Sequence, residues 1–223
     1  MKRFLACLLV FSLAAAVSFA QEKKEDKKDA KEDGFQTIFD GKSMEGWKVN
    51  ESKESFKLAD GAIVANGNRS HCFYVGADRP FKNFVLEMDV LTKPKSNGGV
   101  FFHTKFQDEG WPEQGHECQV NNAPDKDPQK TGGVYNAKKV LVAPAKDDTW
   151  FKYTITVEGT HVVTKIDGKV VAEYTEDAAA IDKDKDSKLK KTQRIGSGTF
   201  ALQAHDPGST VMYKNIKVKR LAD

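Results

Sequence analysis

The segment HVVTKIDGKVVAEY, residues 161–174, is the clearest indication of the fold class. Two runs rich in β-branched residues, His161–Ile166 and Lys169–Tyr174, flank the dipeptide Asp167-Gly168. A type I′ turn needs positive φ at both of its central residues, and Asp-Gly meets that need, so the segment predicts a tight β-hairpin. The same pattern of short apolar runs between turn residues recurs along the chain.

The regular spacing of these runs predicts an all-β fold, an antiparallel β-sandwich or jelly roll, rather than βαβ units. Each run alternates apolar and polar residues and is bounded by Gly, Asp, Asn or Pro. One helical turn is predicted at Asp177–Ala180 and a charged surface loop at Asp182–Lys191. The predicted strands outside the hairpin are Phe35–Phe39, Ser55–Leu58, Ala62–Ala65, Cys72–Val75, Asn83–Leu91, Gly99–Phe106, His116–Asn121, Val134–Val142, Trp150–Val157, Thr199–Ala204 and Thr210–Arg220.

The composition is that of an ordinary globular protein, since the 223 residues are 39% hydrophobic and 30% charged. This is too apolar for a disordered chain and not apolar enough for several membrane spans. The net charge is +3, so attraction to a phosphate backbone is weak and nucleic-acid binding is disfavoured. The length fits one domain with tails, or at most two small domains.

The N-terminus has the pattern of a secretory signal peptide. Lys2 and Arg3 precede an apolar run too short to span a bilayer, and small residues mark a cleavage site after Ala20. Residues 21–33, QEKKEDKKDAKED, predict a charged, disordered linker because they offer no apolar surface to bury. We therefore expect a secreted or periplasmic protein with no membrane span, whose folded domain covers residues 34–223.

Two cysteines, Cys72 and Cys118, remain in the expected mature chain. Export would allow a disulfide between them, but the sequence alone does not fix the geometry that a disulfide needs. Two cysteines are too few for a disulfide scaffold, so a hydrophobic core must stabilise the domain.

Side chains alternate between the two faces of a strand, so each predicted strand divides into faces. Three runs, Gly99–Phe106, His116–Asn121 and Thr199–Ala204, have one apolar and one polar face. Such a polar face can simply be solvated, but histidines and carboxamides beside a single glutamate also suit the binding of sugar hydroxyls. If the three strands are neighbours, one concave surface carries His103, Lys105, Glu117, Gln119, Asn121, Gln203 and His205.

A series of short motifs runs through nearly the whole expected mature domain. They are Phe39-Asp40-Gly41, Gly46-Trp47, Asp60-Gly61, Asn83-Phe84, Ser96-Asn97-Gly98-Gly99-Val100-Phe101-Phe102, Glu117-x-Gln119, Thr131-Gly132-Gly133-Val134-Tyr135, Trp150, Asp167-Gly168, Leu202-Gln203-x-His205 and Asn215-Ile216. In this order they resemble the 3-keto-disaccharide hydrolase family, also described as 3-keto-glucoside lyases or hydratases. The resemblance implies a jelly roll of the concanavalin-A-like lectin/glucanase type and an exported bacterial protein that acts on oxidised glycosides.

The ordinary glycosidase mechanism needs two carboxyl groups, and this strand offers only Glu117 beside the carboxamides Gln119 and Asn121. A 3-keto sugar, the substrate that the resemblance implies, permits another route. Its C3 carbonyl acidifies the proton on C2, and a general base can remove that proton while the aglycone leaves from C1. Water can then add to the unsaturated product, which gives net hydrolysis.

This route assigns candidate roles, and alternatives remain open. Glu117 or His205 is the base, and His103 or Lys105 polarises the C3 carbonyl. His103, Glu117 and His205 are also the candidate ligands of a divalent metal ion that would act as the electrophile, although no spacing signature supports this. Gln119, Asn121 and Gln203 would hold hydroxyls. Trp111 and Tyr135, in or beside the flanking loops, would stack on a sugar face or fill the core.

Two other functions stay open, since a fold does not determine a function. A non-catalytic carbohydrate-binding module is supported by the missing carboxylate pair and by three departures from the family pattern. The family often has Arg at position 103, Asp directly after the Glu-x-Gln strand, and Asn at position 151, where this chain has His103, Asn121-Asn122 and Phe151. The third function is a surface interaction domain without a sugar ligand. The sequence does not define the oligomeric state.

Overall fold

A computed structural model of the protein describes residues 32–124 and 127–223. The predicted signal peptide and residues 21–31 of the predicted linker lie outside the described residues. The elements within them are β1 (Gln36–Phe39), β2 (Trp47–Val49), β3 (Phe56–Ala59), β4 (Ala62–Ala65), β5 (Ser70–Tyr74), β6 (Phe84–Thr92), β7 (Asn97–Thr104), β8 (His116–Asn121), β9 (Phe151–Glu158), β10 (His161–Ile166), β11 (Lys169–Thr175), α1 (Ala178–Lys183), β12 (Thr199–Ala204) and β13 (Val211–Arg220). Two short 3₁₀ turns cover Glu32–Gly34 and Lys53–Ser55. Among the described residues, no helix has the length and the hydropathy needed to cross a bilayer.

The strands form two antiparallel sheets. The larger sheet has eight strands in the order β11-β10-β9-β6-β13-β4-β3, with β1 paired to β13. The smaller sheet has five strands in the order β2-β5-β12-β7-β8, so most of its neighbours are distant in sequence. This mixing of early and late strands is typical of a jelly roll, and the predicted all-β sandwich is confirmed.

The core lies between the two sheets and is rich in aromatic rings. Phe84, on β6 of the larger sheet, is fully buried. Its ring centroid lies 6.0 Å from that of Phe102 on β7 and 5.0 Å from that of Phe200 on β12. These contacts join the two sheets and cover the inner face of the smaller sheet. Only its outer face is left to form a binding surface.

The predicted hairpin at Asp167-Gly168 is confirmed. Asp167 has φ 49° and Gly168 has φ 77°, and the flanking residues Ile166 and Lys169 are paired. Both central residues therefore have the positive φ that the tight turn requires. The predicted helical turn is the first turn of α1, where the Asp177 carboxylate accepts a hydrogen bond from the Ala180 N–H at 3.0 Å.

The predicted strand Val134–Val142 is wrong. Val134 pairs with Lys138 through two backbone hydrogen bonds of 2.9 and 2.8 Å, so the chain reverses before a strand can extend. Leu141 and Val142 are 66% and 80% exposed, which shows that an apolar run does not form a strand without a partner. The sequence also missed β2, a three-residue edge strand too short to show alternation.

The two cysteines lie far apart in the smaller sheet. Cys72 pairs with Leu202, Leu202 with Val100, and Val100 with Cys118. Three interstrand spacings, about 14 Å in all, therefore separate the two cysteines. Both are free and buried, and the sheet order excludes the disulfide that the sequence left open.

We expect Phe84→Ala to lower the free energy of unfolding by about 3–5 kcal/mol, because it leaves a cavity between the sheets. Urea denaturation of both proteins measures the difference. The matched control is Val170→Ala, at a side chain that is 52% exposed, and it should change stability by less than about 0.5 kcal/mol. A Phe84→Ala protein as stable as the wild type would contradict the interior position of this ring.

Candidate functional site

A pocket of about 280 Å³ opens on the outer face of the smaller sheet. Its floor comes from β7, β8 and β12, and its walls come from three loops. Six residues that the sequence proposed for a sugar site line it: Trp111, Glu117, Gln119, Tyr135, Gln203 and His205. The other lining residues are Asn97, Phe101, Pro112, Asp127, Asn136, Lys188, Lys190 and Gln193.

Glycine at position 99 makes room for the carboxyl group of Glu117. Gly99 is paired with Gln119 on β8, and the next residue, Val100, is paired with Leu202 on β12. A Cβ atom at Gly99 would lie 2.2 Å from Glu117 Oε1 and less than 3 Å from Glu117 Cγ and Cδ. The Glu117 side chain therefore leans across the backbone of Gly99 towards β12, where it meets the carboxamide of Gln203.

The environment of Glu117 favours the protonated acid. Burial raises the pKa of Glu117 to about 8, because a charged carboxylate loses hydration there, and the charge of Asp127 acts in the same direction. A hydrogen bond that Gln203 Nε2 donates to Glu117 Oε1 at 3.1 Å opposes the shift. At neutral pH this carboxyl group can donate a proton into the pocket.

Three carboxamide oxygens at the pocket have no partner among the described residues. They are Asn97 Oδ1, Gln119 Oε1 and Gln203 Oε1, and all three are buried. A buried acceptor without a partner costs about 1–3 kcal/mol, and such groups in native proteins call for a ligand or water. A ligand with several hydroxyl donors would satisfy them.

His205 follows β12 directly and lines the pocket beside Trp111, with the ring centroids 5.4 Å apart. Trp111 is 41% exposed. It also covers His71, which is fully buried and whose two ring nitrogens have no partner among the described residues. Burial lowers the pKa of His71 to about 3, so this imidazole is neutral. Sequence reasoning assigned no role to His71, because only its pairing with Gln203 across the sheet brings it close to the pocket.

The loop between β8 and β9 adds Asp127, Tyr135 and Asn136, and the sequence anticipated only Tyr135. Burial and a hydrogen bond to the Asp127 carboxylate raise the pKa of Tyr135 to about 12. Asn121 does not face the pocket, since its Nδ2 donates to the backbone oxygens of Asp127 at 3.1 Å and Gln129 at 2.8 Å. Its observed contacts support the loop rather than a ligand.

The segment between α1 and β12 adds Lys188, Lys190 and Gln193 to the pocket wall. The sequence predicted only a charged surface loop here, because a run of lysines and aspartates does not show which side chains turn inward. A bond from the Ile195 N–H to Glu176 Oε1 at 3.0 Å holds the end of this segment.

His103 does not share the concave surface, which corrects the predicted grouping. Its φ is 55°, and the pairing of β7 with β12 shifts register close by, so strand alternation breaks at this residue. The ring packs on Phe84 at 5.6 Å, with Nε2 2.9 Å from the Lys82 carbonyl oxygen and Nδ1 accepting from the Gly196 N–H at 3.0 Å. Burial lowers the pKa of His103 to about 4.

Lys105 also lies away from Glu117. It lines a separate groove with Tyr74, Arg79 and Phe106. The candidate metal triad of His103, Glu117 and His205 is not assembled, because His103 points away from the other two. Within residues 32–124 and 127–223, no three His, Cys, Asp or Glu side chains stand together in a way that could hold a metal ion.

Comparison with known proteins supports the resemblance. Residues 34–219 match the family model of the 3-keto-alpha-glucoside-1,2-lyase-like domain. A 3-keto-disaccharide hydrolase from Bacteroides thetaiotaomicron is 31% identical over 101 residues, which cover 39% of this chain and 35% of that protein. The chain thus matches about a third of that relative's length.

Several solved structures share the fold. A Parabacteroides distasonis protein, provisionally described as a glycosyl hydrolase, has a TM-score of 0.69 at 23% identity over 85% of this chain and 95% of its own. The carbohydrate-binding module CBM66 from Bacillus subtilis has a TM-score of 0.53 at 13% identity over 78% of this chain and 95% of its own. The lumenal domain of VIP36 has a TM-score of 0.54 at 10% identity over 86% of this chain and 92% of its own. At these identities the likeness shows the fold alone.

Glu117→Gln should stabilise the protein at alkaline pH and leave its stability unchanged at pH 4. The pKa of Glu117 rises from 4.5 to about 8 on folding, so ionising this group disfavours the folded state increasingly as pH rises from 4.5 to 8. Thermal unfolding at pH 4 and pH 9 measures the effect, at about 2–4 °C for each kcal/mol in a chain of this size.

The matched control is Glu54→Gln, at an exposed carboxyl group, which should change stability by less than about 0.5 kcal/mol. An equal change in melting temperature for Glu117→Gln at both pH values would contradict the buried, protonated state of Glu117.

Proposed function

The chain belongs to the 3-keto-alpha-glucoside-1,2-lyase-like domain family, and from this premise we propose that it is an exported enzyme that cleaves 3-keto-glycosides by elimination. The observation that carries the proposal is the pairing of a protonated Glu117 with unpartnered carboxamide oxygens in one pocket. The oxygens suit the hydroxyls of a sugar, and the acid suits a glycosidic oxygen. Cleavage of the leader after Ala20 stays a prediction.

The first step is removal of the C2 proton. His205 is the candidate base because it lines the pocket, whereas Glu117 holds its own proton near neutral pH. The electron pair from the C2–H bond enters the C3 carbonyl and forms an enolate. Lys188 or Lys190, which line the same pocket, would stabilise the enolate oxygen in the roles first proposed for His103 and Lys105.

The second step is loss of the aglycone. As the enolate collapses, a C1–C2 double bond forms and the C1–O bond breaks. Glu117 gives its proton to the departing oxygen, so the aglycone leaves as an alcohol. The proton taken by His205 can return to Glu117 through solvent, and addition of water at C1 of the unsaturated sugar then gives net hydrolysis. Each positioned acid or base contributes about 10²–10⁴-fold to the rate.

Two substrates with different leaving groups distinguish the role of the acid from the role of the base. With 3-keto-trehalose, whose leaving group is a poor one, we expect Glu117→Gln to lower kcat by about 10²–10⁴-fold. With 4-nitrophenyl 3-keto-glucoside the kcat of the same variant should fall far less, because 4-nitrophenolate leaves without a proton. His205→Gln should lower kcat for both substrates, since both need the base. Initial rates by chromatography and by absorbance provide the measurements.

Lys105→Ala is the control, because Lys105 lies in the separate groove, and it should turn over both substrates as the wild type does. If Glu117→Gln lowers kcat equally for both substrates, Glu117 is the base and the assigned roles are reversed. If the wild type binds 3-keto sugars without turnover, the alternative carbohydrate-binding module replaces the enzyme.

A further inference from the structure

Asp206 stands directly beside the candidate base. Its Oδ2 lies 2.8 Å from Nδ1 of His205. We infer that Asp206 is a positioning residue, which holds the His205 ring with Nδ1 protonated and leaves Nε2 as the proton acceptor. This inference rests on the proposed function, and it assigns a role to a side chain that lies outside the pocket lining.

The Asp206 carboxylate is itself held in place. Its Oδ1 accepts from the Gly208 N–H at 2.9 Å, and its Oδ2 accepts from the Ser209 hydroxyl at 3.1 Å. The Ser209 hydroxyl in turn accepts from the Asn97 N–H at 2.9 Å, at the first residue of β7. The turn after β12 is thus tied to a neighbouring strand, and the carboxylate has a fixed direction.

A fixed carboxylate on Nδ1 does two things for a base. It selects the neutral tautomer whose lone pair is on Nε2, and it stabilises the imidazolium that forms when Nε2 takes a proton. Trp111 lies against the same imidazole, with the ring centroids 5.4 Å apart, and limits its rotation. An imidazole held in one orientation is already aligned for proton transfer, which lowers the entropic part of the barrier.

A second histidine–carboxylate pair in the described residues shows why this one is suited to catalysis. His116 and Glu176 also lie 2.8 Å apart, but their side chains are 0% and 3% exposed, and Glu176 also accepts from the backbone of Ile195. His205 and Asp206 are 33% and 26% exposed, so a substrate can reach this pair. The buried pair, His116 and Glu176, holds the segment that contains Ile195. The partly exposed pair, His205 and Asp206, lies at the pocket.

The test separates proton removal from loss of the aglycone. The probe is 1,5-anhydro-3-keto-glucitol, a 3-keto sugar without an aglycone, and the readout is exchange of its C2 proton in D2O, followed by NMR. We expect Asp206→Asn to lower both C2 exchange and kcat on 3-keto-trehalose by the same factor, between about 10-fold, as for a partner of a metal-bound histidine, and about 10⁴-fold, as for the aspartate of a serine-protease triad. KM should not change.

Asp206→Glu, which keeps the carboxylate, should recover part of the exchange rate. Asp108→Asn is the matched control, with the same change of charge at an exposed residue of the Trp111 loop, and it should behave as the wild type does. A folded Asp206→Asn protein with wild-type exchange, or with a change in KM alone, would overturn the positioning role.

A measurement on the wild type needs no variant. Long-range ¹H–¹⁵N spectra report the tautomer of His205, for which we expect a proton on Nδ1 and none on Nε2 at alkaline pH. The opposite tautomer would overturn the inference while leaving the proposed function intact. A wild type that neither exchanges C2 nor cleaves 3-keto-glycosides would overturn the proposed function, and this role of Asp206 with it.

Discussion

The five-stranded sheet has to bury its inner face against the larger sheet and still leave room for a pocket on its outer face. Val100, Cys118 and Leu202 are aligned across three strands and buried against the larger sheet. Strand alternation then directs the next residues outward. Glu117 and Gln119 therefore lie on the floor of the pocket because Cys118 between them lies in the core.

The pocket combines groups that would be costly in an ordinary protein surface or core. In the pocket these are a carboxyl group with a raised pKa and unpartnered carboxamide oxygens, and next to it lies the neutral, buried imidazole of His71. All of them reduce the stability of the protein when no ligand is bound. The aromatic core between the sheets offsets these costs. A site that holds its polar groups ready for a ligand in this way loses less free energy to reorganisation when the ligand binds.

The loops add types of side chain that the sheet does not contribute to the pocket. The β-sheet supplies an acid, amides and, at the end of β12, an imidazole. The loop after β8 adds a second carboxylate and a tyrosine, and the segment after α1 adds two lysines. These loops are held by buried polar side chains such as Asn121 and Glu176. A polar residue that the sequence suggests for ligand binding, such as Asn121, can thus hold a loop of the pocket instead.

The sandwich, the hairpin turn and much of the pocket floor can be predicted from the sequence, because they follow from strand alternation and local turn chemistry. Glu117, Gln119, Gln203 and His205 were found in this way. His103 was misplaced because one residue with positive φ breaks the alternation, and no pattern of residue types reveals that. Asp127 and the two lysines were missed because loop direction depends on contacts with distant strands. The division between polar side chains that face the pocket and those that hold the loops came from the tertiary structure, since it depends on pairings between segments far apart in the chain.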